Sequence, residues 1–344
     1  MSSITTIRPH ENESVSEEDD VSTIQTWIRA IRVEAEAVRS FELCPVNGLL
    51  PPAEAGAHID VYLPGGYLRQ YSLLAGSDQK GYRVAIGLGP DSRGGAKTAH
   101  TVLAVGSEIR ISAPRNHFRL HEQLDEPSIL LAGGIGITPI YAMVAELVRL
   151  GRPWQLYYCA RTRAHAAFRT ELNVLQEASG TSGRVTFIFD QEPDQHPLNI
   201  ADLVARHADD RTHFYCCGPS SMLNAFQDAC RGVSSERVHF EYFSAATVDM
   251  KQVAEQKPFT VHLARSGKSI RVPADRSILD SLSDHGINAF CSCREGICGS
   301  CETKVLEGTP EHRDSVLSPA EKEAADTMMI CVSRCKGESL TLDL

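Results

Sequence analysis

The sequence predicts three consecutive domains: an antiparallel β-barrel, an α/β domain built on a parallel sheet, and a smaller α+β domain. Its 344 residues exceed the usual length of one domain. Short β-rich runs separated by Gly and Pro come first, and strand and helix patterns alternate from Ser128 onward. Five of the eleven cysteines then lie between Cys291 and Cys331, which sets the last part of the chain apart.

The composition excludes some classes of protein. The net charge of −10 argues against a nucleic-acid partner and an anionic membrane, since both attract basic surfaces. No apolar run approaches the roughly 18–20 residues that span a bilayer, and the N-terminus lacks the pattern of a signal peptide. We therefore expect a cytoplasmic protein without a membrane partner. Six acidic residues between Glu11 and Asp20 predict a disordered, solvated tail over residues 1–23.

The barrel is predicted over residues 24–122, with five short strands bounded by turn residues: Ile28–Val33, His58–Leu63, Gln70–Leu74, Tyr82–Leu88 and Glu108–Ser112. The α/β domain is predicted over 123–245, because apolar strands such as Ser128–Ala132 alternate there with helix patterns such as Ile140–Leu150. Residues 246–257 are polar and predict a linker. The third domain is predicted over 258–344.

The cysteine spacing is the strongest motif in the chain. The spacing C-x4-C-x2-C followed by a distant Cys is that of plant-type [2Fe-2S] sites, and the predicted ligands are Cys293, Cys298, Cys301 and Cys331. Gly296 and Gly299 allow the loop to fold tightly around a cluster. A zinc site is the alternative, although it usually needs two paired C-x2-C knuckles. Cys291 and Cys335 lie off the pattern, and we expect them to be bystanders.

The stretch FCSCREGICGSCETKVLEG resembles the plant-type ferredoxins. This resemblance implies a ferredoxin-like β-grasp fold for residues 258–344. Two later stretches, HRDSVL from His312 and MMICVSR from Met328, resemble the corresponding region of the phthalate dioxygenase reductase and vanillate O-demethylase reductase family.

A flavin motif is predicted in the first domain. The run Arg69-Gln70-Tyr71-Ser72-Leu73 resembles the R-x-Y-S element of ferredoxin reductase-like flavoproteins. An Arg can bind a phosphate, a Tyr offers a flat surface to a flavin, and a Ser can hydrogen-bond its edge. Consecutive glycines before a short helix expose backbone N–H groups to an anion. The predicted flavin-site residues are Arg69, Tyr71, Ser72, Gly94, Gly95 and Ala96.

Nicotinamide elements are predicted at the ends of two strands in the second domain. The run Gly133–Pro139 follows a strand and begins a helix, where glycines allow a cofactor to approach the backbone. A second turn, Cys217-Gly218-Pro219, matches the Cys-Gly-Pro motif that lies near the nicotinamide in the resembled family. Phe243 matches the aromatic residue that ends its nicotinamide domain beside the flavin. The predicted residues are Gly134, Gly136, Thr138, Pro139, Cys217, Gly218 and Phe243.

Together these motifs resemble the phthalate dioxygenase reductase and vanillate O-demethylase reductase family over residues 24–344. The resemblance implies an NAD(P)H-dependent flavin iron–sulfur oxidoreductase with FMN, a [2Fe-2S] cluster and NADH, with NADPH possible. Hydride would pass from NAD(P)H to FMN, and single electrons would pass through the cluster to the terminal component of a Rieske-type aromatic-ring oxygenase or O-demethylase. No side chain is expected to act as an acid or base in the hydride step.

Two alternative functions remain open. An FAD-containing reductase could serve another electron acceptor. A non-catalytic electron-carrier module is the other alternative, because Gly87 and Ala96 stand where the family commonly has Lys and Ser. The donor is also open: Thr162 stands where the family has an Asp for the ribose 2′-hydroxyl, and Arg161 and Arg163 beside it could reach a 2′-phosphate. The family resemblance favours NADH.

Overall fold

The computed structural model describes residues 23–74, 79–89, 92, 94–193, 196–243 and 256–344. Within these ranges the chain forms one six-stranded sheet, two five-stranded sheets and a two-stranded ribbon. The predicted tail 1–23 and linker 246–257 lie outside the described residues, apart from positions 23, 256 and 257. No helix in the described part of the chain has the length and apolar character needed to cross a membrane.

The first sheet is an antiparallel barrel with the strand order β4-β3-β6-β1-β2-β5. An antiparallel bridge between Leu73 and Val84 joins the two ends of this order and closes the barrel. Buried apolar side chains such as Ile28, Phe41 and Ile59 fill its interior. Its elements are β1 Ile24–Ala35, β2 Val38–Pro45, β3 His58–Leu63, β4 Tyr67–Ser72, β5 Tyr82–Gly87, helix α1 Gly95–Thr101 and β6 Glu108–Ile111.

Strand β2 is absent from the sequence-based prediction, and β1 is longer than predicted. The two strands form one long hairpin that turns at Ala37, which adopts φ 58°. Arg39 and Glu42 interrupt the apolar pattern of β2, yet the strand pairs with β1 on one side and β5 on the other. Cross-strand pairing therefore overrides a weak local pattern.

The second sheet is entirely parallel, with the order β11-β10-β7-β8-β9. All six residues of β7 are buried, as expected for a central parallel strand covered on both faces. The strands are β7 Ser128–Gly133, β8 Trp154–Ala160, β9 Gly183–Phe189, β10 His213–Cys217 and β11 Val238–Glu241. The α-helices are α2 Ile137–Leu150, α3 Arg169–Ser179, α4 Ile200–His207 and α5 Ser220–Ala229, with 3₁₀ turns at Gly134–Gly136, Arg163–His165 and Ser235–Arg237.

The third sheet has the order β13-β12-β18-β14-β16, in which only β12 and β18 run parallel. Helix α6 begins at its N-cap Ser277, whose side chain accepts from Asp280 N, and α7 begins with a capping box of Ser318 and Glu321. The elements are β12 Phe259–Leu263, β13 Ser269–Val272, α6 Ile278–Asp284, β14 Glu302–Glu307, β15 Pro310–Glu311, α7 Pro319–Ala324, β16 Thr327–Met329, β17 Arg334–Cys335 and β18 Ser339–Leu342.

The predicted fold class is confirmed: a barrel, a parallel-sheet α/β domain and a β-grasp domain follow one another along the chain. The residue boundaries 24–122, 123–245 and 258–344 stay predictions.

Candidate functional site

A cavity of about 530 Å³ lies between the barrel and the parallel-sheet domain. Its barrel wall comes from β4, β5 and the start of α1, and its other wall comes from the turn after β7 and the segment that follows β11. The sequence-predicted residues that line it are Arg69, Tyr71, Ser72, Gly95, Ala96, Thr138 and Phe243. Folding therefore brings both predicted flavin elements and part of the nicotinamide element to one cavity.

The turn before α1 lies directly against β4. Gly94 has φ 90°, and a Cβ added there would lie 2.5 Å from the Tyr67 hydroxyl oxygen. A Cβ on Gly95 would lie 2.8 Å from Arg69 Cγ. Only glycine fits this approach, so the backbone at Gly94 and Gly95 lies beside the Arg69 side chain. A phosphate could contact this guanidinium and the adjoining N–H groups together. Arg93, which precedes them, lies outside the described residues.

The two Gly-rich nicotinamide elements meet at one edge of the parallel sheet. Strands β7 and β10 are neighbours, with Ala132 opposite Cys217, so the turns that follow them are adjacent. A Cβ on Gly136 would lie 2.2 Å from the Cys217 carbonyl oxygen, and a Cβ on Gly218 would lie 3.1 Å from Gly133 Cα. Pro139 lies in the buried first turn of α2. This is the carboxyl-terminal edge of the sheet, where ligands of α/β domains bind.

Two polar residues that the sequence analysis did not assign also line the cavity, the buried His58 and the partly buried Glu241. His58 Nδ1 lies 4.0 Å from Glu241 Oε1, and Glu241 Oε2 has no hydrogen-bond partner among the described residues. Burial raises the pKa of Glu241 to about 8. Burial and the nearby Arg115 lower the pKa of His58 to about 3. At neutral pH Glu241 therefore holds a proton on a carboxyl oxygen while His58 is uncharged. No local pattern marks this pair, because its members are far apart in the chain.

The predicted cluster ligands converge in the third domain. The Cys293 thiol contacts those of Cys298 and Cys331, and the Cys301 thiol contacts that of Cys331. Cys291 is also present: its Sγ lies within 4.8 Å of both Cys301 Sγ and Cys331 Sγ. A bystander would be expected to lie apart from the cluster ligands, but Cys291 lies beside two of them.

Cys335 lies apart from these thiols. Its Sγ accepts from Gly337 N at 3.2 Å and donates to the Ser339 carbonyl oxygen at 3.3 Å. These contacts belong to the neighbouring turn before β18.

The cysteine loop owes its shape to two glycines with positive φ. Gly296 has φ 68° and Gly299 has φ 72°. A Cβ would lie 2.6 Å from Val332 Cγ2 at Gly296 and 2.3 Å from His117 Nε2 at Gly299. The loop also directs N–H groups at sulfur, as in the bond from Glu295 N to Cys293 Sγ at 3.2 Å. Convergent thiols with backbone donors fit a [2Fe-2S] cluster.

The cysteine loop packs directly on the barrel. The Ser292 hydroxyl donates to Asp60 Oδ1 on β3 at 2.8 Å and contacts the side chain of Gln70 on β4. Ile297, the residue before Cys298, is itself part of the wall of the 530 Å³ cavity. This cavity and the cysteine loop therefore share a wall.

Family models match two of the three parts. Residues 261–336 match the 2Fe-2S iron-sulfur cluster binding domain, and residues 130–228 match the oxidoreductase NAD-binding domain. The chain is 45% identical to phenoxybenzoate dioxygenase subunit beta of Ectopseudomonas oleovorans, over 94% of this chain and 98% of that protein. It is 43% identical to the vanillate O-demethylase oxidoreductase of Pseudomonas sp. (strain HR199 / DSM 7063), over 93% and 100%.

Among solved structures, phthalate dioxygenase reductase matches with 35% identity and a TM-score of 0.66, over 94% of this chain and 98% of that one. The chain belongs to the phthalate dioxygenase reductase and vanillate O-demethylase reductase family. As a member of this family it is an NAD(P)H-dependent iron–sulfur oxidoreductase, and electrons pass from the nicotinamide through a flavin to the cluster. The two matched domains bind a nicotinamide dinucleotide and a [2Fe-2S] cluster.

Proposed function

We propose that this reductase delivers its electrons to a Rieske-type oxygenase component that acts on an aromatic substrate, by ring oxygenation or O-demethylation. One observation carries the proposal: Ile297 of the cysteine loop forms part of the wall of the flavin cavity. Electrons can therefore pass from a flavin in this cavity to the domain that holds the cluster. The names of relatives support it, since phenoxybenzoate dioxygenase and vanillate O-demethylase are oxygenase systems.

When they are bound, the nicotinamide and the flavin convert an electron pair into single electrons, which the [2Fe-2S] cluster can carry one at a time. We assign Cys293, Cys298, Cys301 and Cys331 as its ligands, because their thiols converge and their spacing matches the plant-type pattern. Tyr71 and Ile135 line this cavity, and the partly buried Glu241 holds a proton at its carboxyl oxygen within the same wall.

Arg69, with the backbone of Gly94 and Gly95, is assigned to the flavin phosphate, and Tyr71 and Ser72 to its ring system. Gly134, Gly136, Thr138, Pro139, Cys217 and Gly218 are assigned to the nicotinamide nucleotide, and Phe243 to the place where the two cofactors meet. Gly87 and Ala96 both line the cavity. The Lys and Ser side chains that the family commonly has at these positions are missing, but the backbone that would hold the phosphate is still in place.

The proposed location is the cytoplasm. All eleven cysteines are free thiols, which fits a reducing compartment.

The proposal is tested by anaerobic mixing of the NADH-reduced protein with a purified Rieske-type oxygenase component encoded beside it. We expect bleaching of the Rieske absorbance at a catalytically useful rate, of about 1 s⁻¹ or faster. The control is Cys298→Ala, which should still reduce ferricyanide through the flavin but not the oxygenase. Rapid reduction of ferricyanide by the wild type without any reduction of the oxygenase would instead indicate another acceptor.

Donor preference depends on the segment after β8, at the same sheet edge as Gly133–Gly136. The guanidinium of Arg163 lies 3.6 Å from the carboxylate of Glu192 and over the ring of Phe189 at 5.0 Å. The Arg163 N–H also donates to Glu192 Oε1 at 2.7 Å. Because Glu192 offsets the Arg163 charge, the structure supports our preference for NADH over NADPH.

Replacing Glu192 with Ala should free Arg163 for a 2′-phosphate and raise kcat/KM for NADPH by about tenfold, since a charge-assisted hydrogen bond contributes about 1.5–3 kcal/mol. The double variant Glu192→Ala/Arg163→Ala should lose that gain. Steady-state kinetics with both donors measure the ratio. A wild-type preference for NADPH that disappears in Arg163→Ala would reverse the assignment.

A further inference from the structure

The cysteine loop contains one more thiol than a [2Fe-2S] cluster requires. Four cysteines ligate the two irons of a plant-type cluster, yet a fifth thiol lies within 4.8 Å of two of the expected ligands, Cys301 and Cys331. Cys291 is the additional member. It lies two residues before the first predicted ligand, Cys293.

The thiol contacts are not symmetric about the site. Cys293 lies close to both Cys298 and Cys331, and Cys301 lies close to Cys331, so Cys331 joins the four expected ligands into one group. Cys291 contacts Cys301 and Cys331, and the three Sγ atoms lie within 4.8 Å of one another. Cys291 therefore adds a third thiol to the Cys301–Cys331 pair and none to the Cys293–Cys298 pair.

The position of Cys291 is held by the contacts of its neighbour in the chain. The next residue, Ser292, is fixed by Asp60 of the barrel and by the bond from its own N–H to Ser300 Oγ at 2.8 Å. Cys291 is only half-buried and packs on the core of the third domain. Its Sγ nevertheless lies within 4.8 Å of Cys301 Sγ and Cys331 Sγ.

We propose that Cys291 is a reserve ligand of the [2Fe-2S] cluster, able to replace Cys331 or Cys301 on the iron that these two share. In the exchange a new iron–sulfur bond forms to Cys291, the bond to Cys331 or Cys301 breaks, the released thiolate takes up the proton that Cys291 loses, and no electron is gained or lost. The cluster accordingly has two alternative ligand sets on one side and a single set on the Cys293–Cys298 side. This inference rests on the proposed cluster site.

Alanine variants of the full-length protein test the proposal, because alanine cannot ligate iron. Cys331→Ala should retain most of the wild-type iron and acid-labile sulfide, with altered g values in the electron paramagnetic resonance spectrum of the reduced protein. Cys331→Ala/Cys291→Ala should lose both iron and sulfide. The matched control Cys331→Ala/Cys335→Ala should match Cys331→Ala, since Cys335 lies outside the thiol group.

Flavin content and circular dichroism report whether each variant folds. The variants Cys301→Ala and Cys301→Ala/Cys291→Ala form a second single and double pair that tests the same iron. The proposal is overturned if both folded single variants contain no more iron and sulfide than their double variants. A wild-type protein without iron and sulfide would instead refute the proposed function. Wild type with a full cluster and folded single variants without one would refute only the reserve role of Cys291.

Discussion

Replacement of Cys298 by alanine will remove the [2Fe-2S] cluster and abolish onward electron transfer, while the flavin half of the protein continues to work. Cys298 is 2% exposed, and its sulfur contacts Cys293 and lies 3.1 Å from the Ser300 hydroxyl. Among the described residues, the additional thiol of Cys291 lies beside Cys301 and Cys331 instead. Loss of a residue that only hydrogen-bonds to a metal ligand lowers metal affinity about 10- to 100-fold. Loss of the ligand itself should therefore lower the affinity for the cluster by more than about 100-fold.

Iron and sulfide analysis, visible absorbance and NADH-dependent reduction of ferricyanide measure the outcome. Ferricyanide can take electrons from the flavin directly, so its reduction should stay near the wild-type rate. The matched control is Cys335→Ala, which should keep the cluster because its sulfur bonds only to the turn around Gly337. Cluster loss in Cys335→Ala with retention in Cys298→Ala would refute the ligand assignment.

Replacement of Arg69 by alanine will release the flavin. The guanidinium lies over the Tyr67 ring at 5.4 Å and donates to the Leu68 carbonyl oxygen at 2.8 Å, which holds the side chain beside Gly95 at the cavity. Loss of a charge-assisted contact to phosphate removes about 1.5–3 kcal/mol, so the flavin dissociation constant should rise by about 10- to 100-fold. Flavin fluorescence titration of the deflavinated protein measures this change.

Arg110→Ala is the matched control, because Arg110 is also a barrel arginine stacked on a tyrosine, Tyr62, at 5.3 Å, but it does not line the flavin cavity. Its flavin affinity should equal that of the wild type. Arg69→Lys should restore only part of the affinity, since an ammonium lacks the forked geometry. The released cofactor should run as FMN on chromatography; FAD would contradict the FMN assignment without affecting the fold.

Much of this protein could be predicted locally. The cysteine spacing C-x4-C-x2-C predicts the cluster because one loop must carry three thiolates around it. The glycines at Gly94, Gly136 and Gly296 are visible as turn signals, and each proves to lie where a Cβ would collide with a neighbour. Strand β2 was missed, because its charged residues hide an apolar pattern that only pairing with β1 and β5 completes.

The sequence by itself determined the order of the three domains, the cluster motif and the flavin and nicotinamide motifs, because each depends on residues close together in the chain. Only the tertiary structure decided that Ile297 borders the flavin cavity, that His58 meets Glu241, and that Glu192 faces Arg163. It also placed Cys291 beside Cys301 and Cys331. The physical reason is that these contacts join residues distant in sequence, and such contacts follow from the packing of domains and loops rather than from any local periodicity.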